Sequence, residues 1–345
     1  MSKKVAINGF GRIGRAFFKL VLQQAQDKLE IVAINDLGDL DNLAYLLKYD
    51  SAYGRFDKDV GVQHGELVVD GKNYKFLQEK ELAKLPWKDL GVDIVVESSG
   101  AFETYEKISA HKTAGAKRVV LTAPAKDDDH DDAKTVLMGV NENDLKTCTI
   151  TSNGSCTTNS ASPVLQILSE KLGVKKAFLN TTHGYTATQN LVDGPVKGHD
   201  FRRGRSAAAN IVPSYTGAAV AVGRAVKAVA NKFEGTAMRV PVITGSLSAI
   251  TFVSERSTTE EEINNILKSA SAEPRWQGIM QVTEDLVVSS DIVGDPHAST
   301  VDLSLTKVVD GDLCTVYSWY DNEFGYTNTL VRHVLKVSEL LRAAP

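Results

Sequence analysis

Apolar and polar positions follow two different periods along this chain. Val5-Ala6-Ile7 is a continuous apolar run ending at Asn8, and Ile13, Phe17, Leu20 and Val21 then recur at helical spacing. Glu30–Asn35, Asp93–Glu97 and Arg118–Leu121 are further short runs of buried-strand type, separated by helical stretches. That alternation predicts a parallel, doubly wound sheet. Val136–Ile150 also reads as a strand, and Val164, Leu165, Ile167 and Leu168 mark a helix beyond it. In the second half, Ala177–Thr182, Phe233–Glu255 and Ser299–Tyr320 are strand-like, the last two in long alternation, as in a largely antiparallel sheet covered on one face. A final helix from about Gly325 carries Leu330, Val334, Val337 and Leu341 on one stripe.

A length of 345 residues allows two domains with separate cores. Hydrophobic content of 43% and charged content of 24% are ordinary for a globular chain. Net charge −4 gives no electrostatic reason to expect nucleic acid as a partner. Three cysteines, Cys148, Cys156 and Cys314, make a poor disulfide framework. With no long apolar span and no signal-like leader, the expected location is the cytoplasm, with no membrane contact. The run Asp127-Asp128-Asp129-His130-Asp131-Asp132 reads as a solvated loop, because consecutive carboxylates cannot all face one ion; no metal is expected.

Gly9, Gly11 and Gly14 stand in G-x-G-x-x-G spacing between a strand and a helix. The first glycine makes the turn, the second lets backbone approach a pyrophosphate, and the third packs helix on strand. Asp36 ends the second strand 22 residues past Gly14, where a carboxylate meets ribose hydroxyls and repels a 2′-phosphate. The cofactor expected is therefore NAD, held by a Rossmann-type sheet.

Cys156 sits among small polar residues, Thr151 to Ser160, at a strand-to-helix corner. Helix N–H groups there favour a thiolate, the reactive form of cysteine. His183 follows 27 residues later in His-Gly-Tyr-Thr-Ala-Thr-Gln. Together they would make a nucleophile with an adjacent base. Cys148 and Cys314 lie in alternating strand-like sequence and read as core.

Ser-Asn-Gly-Ser-Cys-Thr-Thr-Asn around Cys156 resembles the active-site signature of phosphorylating glyceraldehyde-3-phosphate dehydrogenases. The similarity runs from Asn8-Gly9-Phe10-Gly11-Arg12-Ile13-Gly14-Arg15 to Trp319-Tyr320-Asp321-Asn322-Glu323. It implies a dinucleotide-binding domain over 1–155, completed by the C-terminal helix 321–345, and an α+β catalytic domain over 156–320. It also implies cofactor contacts from Gly9, Gly11, Arg12, Ile13, Gly14, Asp36, Leu37, Ser99, Thr122, Asn322 and Tyr326, with Leu37 and Pro195 going with NAD. Substrate and phosphate contacts are implied for Ser155, Thr157, Thr186, Arg203, Thr216, Gly217 and Arg239. Arg203 lies in Asp193–Gly217, which reads as a long functional loop; Arg202 and Arg205 compete with it for the same role.

The implied reaction takes glyceraldehyde 3-phosphate, NAD and inorganic phosphate to 1,3-bisphosphoglycerate through a hemithioacetal and a thioester on Cys156, in a glycolytic homotetramer. The alternatives are erythrose-4-phosphate dehydrogenase, in which water resolves the acyl-enzyme, and a non-catalytic binding protein. Several residues depart from the family pattern: Gly184, Tyr215, Val220, Ser160 and Phe324. Tyr215 is the one expected to reshape a phosphate pocket at Thr216-Gly217.

Overall fold

The computed structural model describes residues 2–343, and the chain divides into two compact units. The first takes residues up to Val136, Glu142–Gly154 and the chain from Leu330; the second takes Leu137–Asn141 and Ser155–Thr329.

The first unit is built on a nine-stranded sheet. Its strands are β1 (Lys3–Asn8), β2 (Leu29–Asn35), β3 (Val60–Gln63), β4 (Glu66–Val69), β5 (Lys72–Leu77), β6 (Ile94–Glu97), β7 (Arg118–Leu121), β8 (Ala133–Thr135) and β9 (Ile150–Ser152). Their spatial order is β8-β9-β7-β6-β1-β2-β5-β4-β3. Pairing is parallel from β8 through β5 and antiparallel at β5-β4-β3. The central strands are apolar on both faces, Val5, Ile7, Ile94 and Val95 being fully buried, because helices cover a parallel sheet on both sides. Chain order reverses at the β1/β6 junction, so the crevice at those strand ends is where a ligand site belongs.

The second unit carries a seven-stranded sheet: β10 (Val174–Gly184), β11 (Val212–Tyr215), β12 (Phe233–Val240), β13 (Ser246–Ser254), β14 (Met280–Thr283), β15 (Ser299–Val309) and β16 (Leu313–Tyr320). The order is β11-β12-β10-β13-β16-β15-β14, with β10/β12 and β14/β15 parallel and the rest antiparallel. Leu179, Ile250 and Val316 form one buried row across it, and Phe178, Thr251 and Thr315 form the neighbouring row on the less buried face.

Four expectations change. Val136–Ile150 is not a strand: Asn141 Oδ1 accepts from Leu137 N at 2.9 Å, Gly139 has φ +74°, and Glu142–Lys146 is a helical turn. Cys148 therefore lies after that turn, donating to the Asp144 carbonyl, rather than along a strand. Asp193–Gly217 is not loop throughout, since Phe201–Gly204 makes a helical turn and Val212–Tyr215 an edge strand. The acidic run is more than a solvated loop: Asp127 accepts from Tyr105 N and Glu106 N, Asp129 from Thr135 N, and Asp132 from Thr149 N. Among the described residues, no group of three or more His, Cys, Asp or Glu is arranged to hold a metal ion.

The last helix runs Phe324–Ala343, and residues 321–329 group with the second unit instead of the first. Asp321 explains this. Its carboxylate accepts from Glu323 N and Phe324 N at the helix start and also binds Thr244 Oγ1 and Gly294 N. Ala344 and Pro345 of the expected 321–345 helix lie outside the described residues.

Further along that helix, His333 is fully buried in the first unit, 2.8 Å from Thr151 Oγ1 and 3.2 Å from Asn153 Oδ1. Burial pushes its pKa down to about 4. The unfolded chain protonates near 6.5, so His333 contributes stability above that pH and loses it as pH falls toward 4. At pH 5 the loss from this residue is on the order of 2 kcal/mol. Thermal unfolding at pH 7.5 and 5 should show a drop in Tm that shrinks in His333→Leu; an equal drop in both proteins contradicts the assignment.

Candidate active site

Cys156 opens helix α1 of the second unit (Cys156–Lys171), and Ser155 caps it. Ser155 Oγ accepts from Thr158 N at 3.0 Å while Thr158 Oγ1 accepts from Ser155 N at 3.1 Å, a reciprocal capping box. The cap fixes the first turn and leaves the half-buried sulfur at its mouth. Cys156 Sγ lies 3.3 Å from Nε2 of His183, which is carried near the end of β10 and buried.

His183 Nδ1 is 2.7 Å from the Gly184 carbonyl. A carbonyl can only accept, so this contact by itself calls for the hydrogen on Nδ1 and a lone pair on Nε2 facing the sulfur. Arg239, the register partner of His183 across β10/β12, brings Nη1 to 2.6 Å from Nδ1 and 3.3 Å from the same carbonyl. A guanidinium N–H also can only donate, so the Arg239 contact calls for an accepting Nδ1 where the Gly184 contact calls for a donating one, and the two oppose each other; Arg239 donates to the carbonyl as well.

Burial pushes the His183 pKa down to about 3, with the Arg239 and Arg203 guanidinium charges adding to the fall and the Gly184 bond opposing it. Burial pushes the Cys156 thiol up; Arg239, Thr157 and the N–H groups of Cys156 and Thr157 pull the other way and are outweighed. The expected helix-start stabilisation of the thiolate is thus opposed by desolvation, which also disfavours a charged His183.

Beneath the pair, Tyr320 stacks edge-on against His183 and its hydroxyl meets Thr157 Oγ1 at 3.0 Å and Thr181 Oγ1 at 2.7 Å. Ser246 Oγ links Gly184 N to Asn322 Oδ1, which also accepts from Thr244 Oγ1. Tyr320, Thr181, Ser246 and Thr244 were not legible as site residues, because alternating strand sequence marks their burial but not their partners. Tyr326 is buried in the last helix.

The cationic residues separate cleanly. Arg202 and Arg205 face Asp200 and Asp193 on the surface. Arg203 instead donates to Thr188 Oγ1 and the Tyr215 carbonyl as well as to Asp200. Thr186 Oγ1 lies 3.0 Å from Thr188 Oγ1, and Thr216 Oγ1 accepts from Ala218 N at the start of helix α2 (Ala218–Ala225). Tyr215 does not wall off this region, since its side chain projects outward, the residue being 70% exposed. Arg239 Nε is buried with no hydrogen-bond partner among the described residues. Burial, with the Arg203 charge, disfavours the Arg239 cation, a penalty that an anion would relieve and that Asp200 already offsets in part.

In the first unit, Asn8, Gly9, Gly11, Asn35, Asp36, Leu37, Ser98 and Ser99 are among the residues lining a cavity of ≈ 310 Å³. Gly9 has φ +96°, and a Cβ there would strike Ser99 N at 2.3 Å; one on Gly14 would strike the Gly9 carbonyl at 2.1 Å. Gly11 faces open space, and no side chain caps the helix that follows it (Arg12–Gln24). Phe10 N and Gly38 N each donate to Asp36, fixing its carboxylate at the rim. These features fit a dinucleotide, with pyrophosphate at the glycine turn and ribose at Asp36. Arg12, which pairs with Asp50, Ile13 and Thr122 are not among the residues lining this cavity.

Residues 3–105 match the family model for the glyceraldehyde 3-phosphate dehydrogenase NAD binding domain, and 155–322 match the model for the C-terminal domain of the same enzymes. The chain is 46% identical to glyceraldehyde-3-phosphate dehydrogenase of Clostridium pasteurianum over 95% of its own length and 96% of the relative's. The corresponding protein of Zymomonas mobilis is 44% identical over 99% and 100%.

Replacing Arg239 by Gln removes the charge that most lowers the Cys156 thiol. Alkylation by iodoacetamide, a neutral reagent, should slow by roughly tenfold at pH 7.5, and its pH midpoint should rise by about one unit. An unchanged profile contradicts this reading of the site.

Proposed function

This chain belongs to the glyceraldehyde-3-phosphate dehydrogenase family, and we propose that Cys156 and His183 carry its chemistry while the first unit holds NAD. The reaction is oxidation of glyceraldehyde 3-phosphate, with inorganic phosphate, to 1,3-bisphosphoglycerate. The observation that carries the residue assignment is the 3.3 Å contact between Cys156 Sγ and His183 Nε2.

Cys156 Sγ attacks the aldehyde carbon as His183 Nε2 takes the thiol proton and passes it to the carbonyl oxygen, giving a hemithioacetal and a neutral imidazole. N–H groups of the first helical turn stabilise the oxygen that gains charge. His183 then accepts the hemithioacetal hydroxyl proton as the carbon is oxidised to a thioester. NAD, when bound, supplies the hydride acceptor. Inorganic phosphate attacks the thioester carbon, and the Cys156 thiolate leaves and is reprotonated through His183.

Two anionic groups enter per turnover, the substrate's phosphate and inorganic phosphate. The unpartnered Arg239 Nε, together with Arg203, Thr186, Thr216, Gly217, Ser155 and Thr157, supports a substrate-phosphate and a phosphate role for this region. For the cofactor, Gly9, Gly11, Asp36, Leu37 and Ser99 would hold the adenosine and pyrophosphate, and Asn322 and Tyr326 are proposed for the nicotinamide. A cytoplasmic homotetramer is the expected form; the exposed Phe178, Leu191, Phe201 and Ile211 favour assembly.

NADH formation tests this directly. Sustained turnover should require both glyceraldehyde 3-phosphate and phosphate, in a protein sedimenting as four chains. Cys156→Ser should abolish turnover, and His183→Asn should lower kcat by about 10²- to 10⁴-fold. Sustained turnover without phosphate, above all on erythrose 4-phosphate, would overturn the reading.

A further inference from the structure

Where strand order reverses in the first unit, Asn8 at the end of β1 and Glu97 at the end of β6 are paired in register. The Glu97 side chain is fully buried. Its Oε2 accepts from Asn8 Nδ2 at 2.5 Å and lies 3.0 Å from His111 Nε2. Its Oε1 accepts from both Ser99 N and Ser99 Oγ. Asn8 Oδ1 in turn accepts from Asn35 Nδ2, and Asn35 exchanges hydrogen bonds with the Glu79 backbone. One connected set of bonds thus runs through Glu79, Asn35, Asn8 and Ser99, all of which line the cavity assigned to the dinucleotide.

Behind this carboxylate, His111 Nδ1 lies 3.0 Å from Trp87 Nε1, and both rings are fully buried. An indole N–H can only donate, so Nδ1 is the unprotonated nitrogen. The hydrogen is therefore on Nε2, where it can only donate to Glu97. Trp87 sets the tautomer, and the tautomer completes the donor set of a fully buried carboxylate. A buried charge is tolerated only when its donors are in place. Losing the His111 donor leaves Asn8 and Ser99 to compensate, and both can do so only by moving. Ser99 has little room, because its backbone sits directly against Gly9.

We propose that Glu97 and His111, braced by Trp87, are positioning residues that preset Asn8 and Ser99 for the adenosine half of the dinucleotide. This rests on the cofactor reading of the cavity. None of the three touches the reacting atoms, so their effect falls on cofactor affinity and not on the chemical step.

The test is equilibrium titration of the full chain with NAD and, separately, with ADP-ribose. His111→Leu should weaken both by about the same factor, tenfold or more, as expected for losing a hydrogen bond to a charged group. Its kcat at saturating NAD should stay near wild type. His111→Gln places an amide N–H where Nε2 was and should bind within about twofold of wild type. Trp87→Phe, which frees the tautomer, should weaken both ligands by a smaller factor and serves as the readout if His111→Leu does not fold. A folded His111→Leu that binds both ligands as tightly as wild type overturns the proposal, as does a Gln variant as weak as Leu. Should His111→Leu not fold, wild-type affinity in Trp87→Phe overturns it. Wild-type protein that binds neither ligand overturns the underlying cofactor reading instead, and so the two failures are distinguishable.

Discussion

A thiol and an imidazole held 3.3 Å apart, with water stripped from around the ring, are the contact on which the rest of the second unit depends. Desolvation disfavours the charged form of both groups and so works against the nucleophile. Arg239, adjacent in register, works for it by lowering the thiol's pKa. The same guanidinium lowers the pKa of the imidazole, so it weakens the base while it favours the thiolate. An anion at Arg239 would remove part of that second effect just when a substrate is present. The Ser155–Thr158 capping box fixes the helix start that carries Cys156, the Tyr320 ring packs edge-on against His183, and the Gly184 carbonyl contacts His183 Nδ1, all leaving Sγ and Nε2 uncovered.

The first unit applies the same physics to a different end. A buried carboxyl group, Glu97, organises the strand ends at the topological switch point, and two of its donors, Asn8 and Ser99, line the cavity while His111 supports it from behind. In both units a costly desolvated group is kept because its partners are the residues the function needs in place. Neither arrangement is chiefly a source of stability; each fixes orientation.

Much of this could be read from sequence where local chemistry dictates geometry. The glycine turn was legible because Gly9 requires positive φ and Gly14 requires an absent Cβ, and no other residue type meets either demand without strain. Cys156 and its helix start were legible because Ser155 and the small residues around it form a local cap. Opaque features arose from contacts distant in sequence. The raised thiol pKa depends on burial, and the burial on strands that close around Cys156 much later in the chain. The Glu97–His111–Trp87 set is spread over three elements with no common motif, and nothing local in the sequence marks His111. Val136–Ile150 failed for a local reason, since apolar alternation there masks a turn made by Gly139 and Asn141.

The most direct test of the central claim is the mass of the protein after mixing with glyceraldehyde 3-phosphate and NAD in the absence of phosphate. The account predicts a 3-phosphoglyceroyl thioester on the peptide containing Cys156, formed with one equivalent of NADH per chain and released on adding inorganic phosphate. No acyl adduct, or an adduct on Cys148 or Cys314 in place of Cys156, would contradict it.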